Sequence, residues 1–141
     1  LYNADLEARE GPPKGAAELA ALLAAHAGAF IASPEYNASV TPLLKNTIDW
    51  ISRTEGGKAA FIDRAFAIGA ASNGALGGYR SLIALRQVLE LGLGALVLPG
   101  MVSVPNAGQA FAEDGTLTPE RPAQMLKVMA RRLVAMAGRL A

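Results

Sequence analysis

The chain has 141 residues, a length typical of one domain, and it carries 13 Lys or Arg against 12 Asp or Glu, for a net charge of +1. This balance disfavours a nucleic-acid binder, because no basic surplus is present to contact phosphates. The chain has no cysteine and one histidine, which excludes disulfides, zinc–thiolate sites and thiol nucleophiles and leaves His26 as the one imidazole for a catalytic triad.

The sequence shows neither a membrane span nor a secretory signal. Its longest apolar stretch, 82–104, is interrupted by Arg86, Glu90, Pro99 and several glycines. The N-terminus lacks a basic region followed by an apolar core. We therefore expect a cytoplasmic protein without a membrane partner. The first residue is Leu1 rather than Met, so we expect translation to begin upstream of it.

The first part of the chain contains a polar segment, a helical pattern and a short apolar run. Leu1–Pro13 is polar and contains Pro and Gly, which predicts a loop. Ala16–Ala27 is rich in Ala and Leu and is followed by Gly28, which predicts a helix. Ala29–Ser33 is apolar and ends at a Ser-Pro step, which predicts a buried strand.

The rest of the chain continues this alternation of helices and strands. Thr41-Pro42 is a typical helix start, because the hydroxyl can cap the helix and proline fits its first turn, and this helix extends to about Ser52. The other predicted elements are a strand at Phe66–Ala71, a helix from about Gly78 to Leu91, a strand at Ala95–Leu98 and a last helix capped by Thr118-Pro119.

Strands separated by helices of this length form right-handed βαβ units, which predicts a parallel sheet covered on both faces. Ligands of such folds bind beyond the carboxyl ends of the strands. Two polar loops are predicted there, Ser33–Ser39 and Ser72–Gly78. Tyr36 offers a flat ring, and the glycines of the second loop let a ligand approach backbone amides. The alternative is that both loops are ordinary strand-to-helix turns.

The first loop and the helix after it resemble the central motif of a known family. The family pattern is a Thr/Ser-Pro-Glu-Tyr-Asn turn followed by a P-x-x-L-K-N-A-I-D-W-L-S-R helix, and the chain has Ser33–Asn37 and then Pro42–Arg53. Gly77–Arg80 and Val102–Ala107 are similar to later stretches of the same family. On these motifs the chain resembles the NADPH-dependent FMN reductases.

The resemblance implies a flavodoxin-like, three-layer α/β/α fold with a parallel sheet, over residues 1–141 as one domain. It implies an oxidoreductase that binds FMN and passes a hydride from NADPH or NADH through the flavin to a small-molecule acceptor, such as a flavin, a quinone or an azo compound. These motifs determine neither the acceptor nor the preferred nicotinamide cofactor. The family also implies a homodimer or homotetramer, and neither a catalytic acid or base nor a metal is expected.

The resemblance assigns cofactor contacts to the two loops. The first would line the isoalloxazine ring through backbone groups and the tyrosine face, and the second would hold the ribityl chain and the pyrimidine side of the ring. The expected cofactor-binding residues are Pro34, Glu35, Tyr36 and Asn37 in the first loop and Ser72, Asn73, Gly74, Gly77 and Gly78 in the second. Two roles stay open for Arg80, contact with a phosphate of the nicotinamide cofactor and a salt bridge on the helix surface.

The chain departs from the family at its beginning. Family members begin with a strand and a G-S-x-R-x-x-S loop that binds the FMN phosphate, whereas Leu1-Tyr2-Asn3 is similar to the stretch after their second strand. We expect a strand from upstream residues or from another chain to pair with Ala29–Ser33, because buried backbone groups are rarely left unpaired. Two other functions therefore stay open: an electron carrier without a nicotinamide site, which the net charge of +1 disfavours, and an inactive fragment.

Several conspicuous side chains have ordinary structural explanations. His26 lies near a predicted helix end, and Lys45 and Asp49 have the spacing of a surface ion pair. Apolar residues of two helices favour an oligomer, because some of them must face outward if the core is small. They are Trp50, Ile51, Met125, Met129, Leu133 and Met136.

Overall fold

The computed structural model describes residues 1–141 as a parallel β-sheet with helices on both faces, which confirms the predicted layered α/β architecture. None of its helices combines the length and the apolar character that a membrane span requires. The elements are α1 (Ala4–Glu10), α2 (Lys14–Ala24), β1 (Gly28–Ala32), α3 (Pro42–Ile51), β2 (Ala65–Ala71), α4 (Tyr79–Gln87) continued by a π-helical turn (Val88–Gly92), β3 (Leu96–Val97), β4 (Val102–Val104), a 3-10 turn (Ala107–Gln109) and α5 (Glu120–Leu140).

β2 lies at the centre of the core and is buried on both faces. Its side chains alternate between the faces, as those of any strand do. Phe66, Ile68 and Ala70 belong to the core under α2, α3 and α4, and Ala67 belongs to the core under α5. A strand with two buried faces has no polar positions, which explains the continuous apolar run in the sequence.

β2 pairs in parallel with β1 on one side and with both β3 and β4 on the other. Phe66 lies opposite Val97 and Gly69 lies opposite Val102, so β3 and β4 are successive parts of one interrupted strand. The predicted strand at Ala95–Leu98 is confirmed as β3, which ends before Pro99-Gly100, whereas its continuation as β4 was not predicted. Proline cannot donate to the ladder and Gly100 has φ of 97°, but the interruption lasts only a few residues before pairing resumes.

The guanidinium of Arg86 in α4 closes this interruption. It donates to the carbonyl oxygens of Val97 at 3.3 Å, Leu98 at 2.8 Å and Gly100 at 3.1 Å. The carboxylate of Glu90 accepts from the same guanidinium at 2.7 Å and holds it in place. A side chain thus satisfies carbonyls that the broken ladder leaves free.

β1 has a hydrogen-bonded neighbour on one side only. The amide of Ser33 donates to the carbonyl of Gly69 in β2 at 2.9 Å. Since successive residues of a strand direct their backbone groups to opposite sides, the N–H and C=O of Phe30 and Ala32 face the free edge. The pairing of a further strand with this edge stays a prediction.

The prediction that Leu1–Pro13 is a loop is wrong, because it contains α1. Asn3 caps this helix, and its Oδ1 accepts from the amide of Leu6 at 2.9 Å. Glu7 accepts from Nε of Arg53 at 2.7 Å, which ties α1 to the end of α3. A helix of seven residues is too short to display an apolar stripe, so its tertiary contacts decide whether it forms.

One of the two predicted threonine caps is confirmed. Oγ1 of Thr41 accepts from the amide of Leu44 at 3.3 Å and caps α3. The prediction for Thr118 is wrong, because its hydroxyl donates to the carbonyl of Ala110 at 3.2 Å and α5 begins at Glu120 without a side-chain cap.

The apolar residues that favoured an oligomer lie mostly inside the domain. Trp50, Ile51 and Met129 are buried, and Leu133 and Met136 are half-buried against the α5 side of the core. The expectation that some of this set face outward therefore holds for Met125 only, because α3 and α5 turn the other five toward the sheet. Among the six, Met125 alone is exposed.

Replacing Arg86 with Met should lower the free energy of unfolding by about 1–3 kcal/mol, because it removes donors to carbonyls of the buried residues Val97 and Leu98. Urea denaturation measures this change. The matched control is Lys14→Met at an exposed position of α2, which should change stability by less than about 0.5 kcal/mol. Equal stabilities of the two variants would contradict the assigned role of Arg86.

Candidate functional site

The carboxyl ends of the strands meet at one edge of the sheet, and polar loops leave from that edge. The first loop, residues 33–39, follows β1, and the second loop, residues 72–78, follows β2. Ala32 at the end of β1 lies opposite Gly69 in β2, so the two loops start side by side. All nine residues expected to bind a cofactor lie in these two neighbouring loops.

The first loop is closed by a tight turn. Tyr36 and Ser39 exchange two backbone hydrogen bonds, at 3.1 and 3.0 Å, and the central residues Asn37 and Ala38 have φ of 49° and 64°. Positive φ at both central positions is the geometry of a type I′ turn. The turn leaves the side chain of Tyr36 58% exposed, so one face of its ring can contact a planar ligand.

Glu35 connects the first loop to the helix after the second. Its carboxylate accepts from the backbone amides of Arg80 at 3.1 Å and Ser81 at 3.2 Å, and from Nε of Arg80 at 2.9 Å and its Nη2. These amides belong to the first turn of α4, whose N-cap residue, Gly78, has no side chain to cap it. Glu35 therefore caps α4 from a distant segment of the chain.

The contact keeps Glu35 ionised. Its side chain is 7% exposed, and hydrogen bonding to the Arg80 guanidinium lowers the pKa of the Glu35 carboxyl more than burial raises it, with the amides of Ser81 and Arg80 lowering it further. Of the two roles left open for Arg80, the structure shows the ion pair at the helix surface. Because Glu35 already accepts from the amides of Arg80 and Ser81, these two donors are not free for a phosphate group.

Packing explains the two glycines that end the second loop. Gly77 and Gly78 have φ of 56° and 84°. A Cβ on Gly78 would lie 2.4 Å from Cβ of Ala70, and one on Gly77 would lie 2.5 Å from the nitrogen of Pro105. At Gly74, by contrast, the nearest atom would be 3.7 Å away. Gly77 and Gly78 thus let the loop lie against the sheet, and Gly74 is the glycine of this loop that adjoins open space.

Ser72 and Asn73 join the second loop to the segment after β4. The amide of Ala107 donates to the carbonyl of Ser72 at 3.1 Å, and Oδ1 of Asn73 accepts from the amide of Gly108 at 2.8 Å. That bond orients the side-chain NH₂ of Asn73 away from Gly108 as a donor. Beside it is a polar pocket of about 350 Å³, which the sequence did not predict, lined by Asn73, Asn106, Gly108 and Gln109.

An apolar cavity of about 360 Å³ lies at the same edge of the sheet, on the side of α5. Its walls include Phe30 and Gly69 of the sheet, Pro34 of the first loop, and Phe111 and Leu117 from the segment before α5. The ring of Phe30 covers Gly69, where a Cβ would lie 2.9 Å from it. No local pattern could reveal this cavity, because its walls come from separate parts of the chain.

The other conspicuous side chains have structural roles, as expected. Nδ1 of His26 lies 2.7 Å from the carbonyl of Leu22, at the end of α2. Nζ of Lys45 donates to Oδ1 of Asp49 at 2.6 Å along α3. His26 precedes β1, so it lies at the amino edge of the sheet, opposite the two loops.

Replacing Gly78 with Ala should lower the free energy of unfolding by about 1–3 kcal/mol, because the added methyl group meets Ala70 and the residue must keep a positive φ. Chemical denaturation checks this expectation. Gly74→Ala in the same loop is the control and should have a much smaller effect. If both variants were equally stable, the close packing of the second loop on β2 would be refuted.

Comparisons with known proteins agree with this geometry. The profile of the NADPH-dependent FMN reductases matches residues 1–109. The chain is 38% identical over 143 aligned positions to probable NADPH:quinone oxidoreductase 2 of Oryza sativa subsp. japonica, covering 99% of this chain and 68% of that protein. It is 40% identical over 98 positions to a quinone reductase of Escherichia coli K12, covering 70% of this chain and 50% of that protein.

The fold also matches a solved structure. This is FerB, a flavoenzyme NAD(P)H:(acceptor) oxidoreductase from Paracoccus denitrificans, with a TM-score of 0.79 and 27% identity over 98% of this chain and 74% of that one. The chain therefore spans from half to about three-quarters of the length of these three proteins. These matches confirm the flavodoxin-like fold, the oxidoreductase class and FMN with NAD(P)H as the cofactors of the family. The chain belongs to the NADPH-dependent FMN reductase family.

Proposed function

We propose that the protein is an FMN-dependent NAD(P)H oxidoreductase that passes a hydride from NADPH or NADH to a small-molecule acceptor. The observation that carries this proposal is the side-by-side arrangement of the two loops, with the Tyr36 ring exposed on one and the donor group of Asn73 on the other. A quinone is the first acceptor to test, since relatives are named quinone reductases. A flavin or an azo compound is the next.

The two loops fit the ring system of a flavin. The face of Tyr36 suits a planar ring, and the NH₂ of Asn73 and the open backbone at Gly74 suit the polar pyrimidine edge. Glu35 contributes backbone groups, because α4 holds its carboxylate. The residues proposed to hold the cofactor are Pro34, Glu35, Tyr36, Asn37, Ser72, Asn73 and Gly74, with Gly77 and Gly78 shaping the loop.

Bound FMN would supply the redox chemistry, so the protein's tasks are to bind, orient and shield. This division fits a chain with no cysteine and one histidine. The face of the Tyr36 ring and the apolar cavity would shield the flavin ring from water, and the side-chain NH₂ of Asn73 would orient the flavin. The net charge of +1 favours an enzyme over an electron carrier, since carriers of this fold are strongly acidic.

The purified complete protein should show a flavin absorption band that NADPH bleaches in the absence of oxygen. Tyr36→Ala should weaken FMN binding roughly fivefold, the equivalent of about 1 kcal/mol of lost ring contact, whereas Tyr36→Phe keeps the ring and should bind like the parent. Turnover with NADPH and NADH against quinone, flavin and azo acceptors identifies the substrates. A protein that binds no FMN would refute the proposal, and a band that NADPH does not bleach would indicate a carrier.

We also propose a cytoplasmic homodimer or homotetramer. Its support is the family resemblance, and three apolar side chains other than those the sequence indicated, Leu43, Leu91 and Val134, are 76%, 81% and 73% exposed. Sedimentation at micromolar concentration should show an assembly of at least two chains. Monomers alone at that concentration would contradict the oligomer.

A further inference from the structure

We propose that Glu35 is a positioning residue for the cofactor site: its side chain fixes the first loop against the start of α4 and thereby sets the spacing between Tyr36 and the second loop. The inference rests on the proposed function and deepens it. It means that FMN affinity depends on the Glu35 carboxylate, although that carboxylate bonds to α4 and not to the cofactor.

The contact joins segments that are far apart in the sequence. Glu35 and Arg80 are separated by 45 positions, and the carboxylate bonds to two backbone amides of α4 as well as to the guanidinium. Gly78 cannot cap α4, so without Glu35 the amides of Arg80 and Ser81 would lose their partner. An ion pair between two side chains alone would lack the bonds to the backbone amides of α4, which hold the carboxylate in one place.

Local structure constrains both sides of this contact. On one side, Tyr36 follows Glu35 directly and is held by its two backbone bonds to Ser39. On the other side, Gly78 lies too close to Ala70 for even a methyl group to fit between them. A shift at Glu35 is therefore transmitted to the Tyr36 ring on one side, while the second loop stays against β2 on the other.

The charge of Glu35 strengthens the contact. Arg80 of α4 is the charged group that faces it, and hydrogen bonds to Arg80 and Ser81 lower the pKa of the Glu35 carboxyl. A carboxyl with a lowered pKa contributes its stabilisation above the ordinary glutamate pKa and loses it as the pH falls through the lowered value. We therefore expect FMN affinity to be constant near neutral pH and to fall in acid.

The test uses the complete polypeptide with Glu35→Gln, Glu35→Ala and Arg80→Gln, and with the double variant of Glu35→Gln and Arg80→Gln. The matched control is Glu18→Gln, which makes the same chemical change in the exposed Lys14–Glu18 pair of α2. Flavin fluorescence titrations give the FMN dissociation constant between neutral and acidic pH. Hydrogen exchange of the Arg80 and Ser81 amides reports the contact without FMN, and urea denaturation reports global stability.

Glu35→Gln should weaken FMN binding about tenfold at neutral pH, as expected for lost charge-assisted hydrogen bonds, and Glu35→Ala should weaken it more. Both variants should raise the hydrogen-exchange rates of the Arg80 and Ser81 amides. Glu35→Gln should also remove the fall of FMN affinity in acid. Glu18→Gln should match the parent throughout. The double variant should lose less FMN affinity than the sum of the two single losses, because both changes break one contact.

Unchanged exchange at Arg80 and Ser81 in both Glu35 variants would overturn the proposal. A second result would also overturn it: the Glu35 variants lose FMN affinity only in proportion to their lost global stability, and their affinity still falls in acid as in the parent. That result would indicate general destabilisation. If the parent protein itself binds no FMN, the proposed function fails, whereas the exchange rates still decide whether Glu35 holds the start of α4.

Discussion

Burial of β2 on both faces is the constraint on which the rest of the structure depends. The strand pairs on both edges and lies beneath helices on both faces, so each of its neighbours is placed relative to it. Small residues permit this crowding. Gly69 of β2 lies under the ring of Phe30, and a Cβ on Gly28 of β1 would lie 3.0 Å from the carbonyl oxygen of Ala65 in β2. The second loop leaves from the end of this strand, so a strand buried on both faces supports the candidate site.

Long-range bonds from side chains to backbone complete the structure where the regular ladders end. Glu35 caps the start of α4, Asn73 holds the segment after β4, and Arg86 bridges the interruption between β3 and β4. Each of these side chains replaces a backbone partner that helix or sheet geometry does not supply. The edge of the sheet at which the loops meet is thus tied together by polar contacts, while apolar packing holds the centre.

The candidate site divides its tasks between rigid and open parts. The tight turn after Tyr36 and the packing of Gly77 and Gly78 hold the loops in place. The exposed ring of Tyr36, the open space at Gly74 and the two cavities provide room for ligands. Such a site suits chemistry in which a bound cofactor reacts and the protein supplies shape and hydrogen bonds.

The sequence by itself determined the alternation of helices and strands from α2 to β3, the Thr41 cap and the loops that carry the candidate site, because apolar runs, caps and turn residues act over a few positions. Only the tertiary structure decided that β4 continues β3 after Pro99, that α1 is a helix, and that Glu35 turns toward α4. These outcomes depend on partners distant along the chain, such as β2, Arg53 and Arg80. Local sequence patterns do not record such partners, because only the folded chain brings them together.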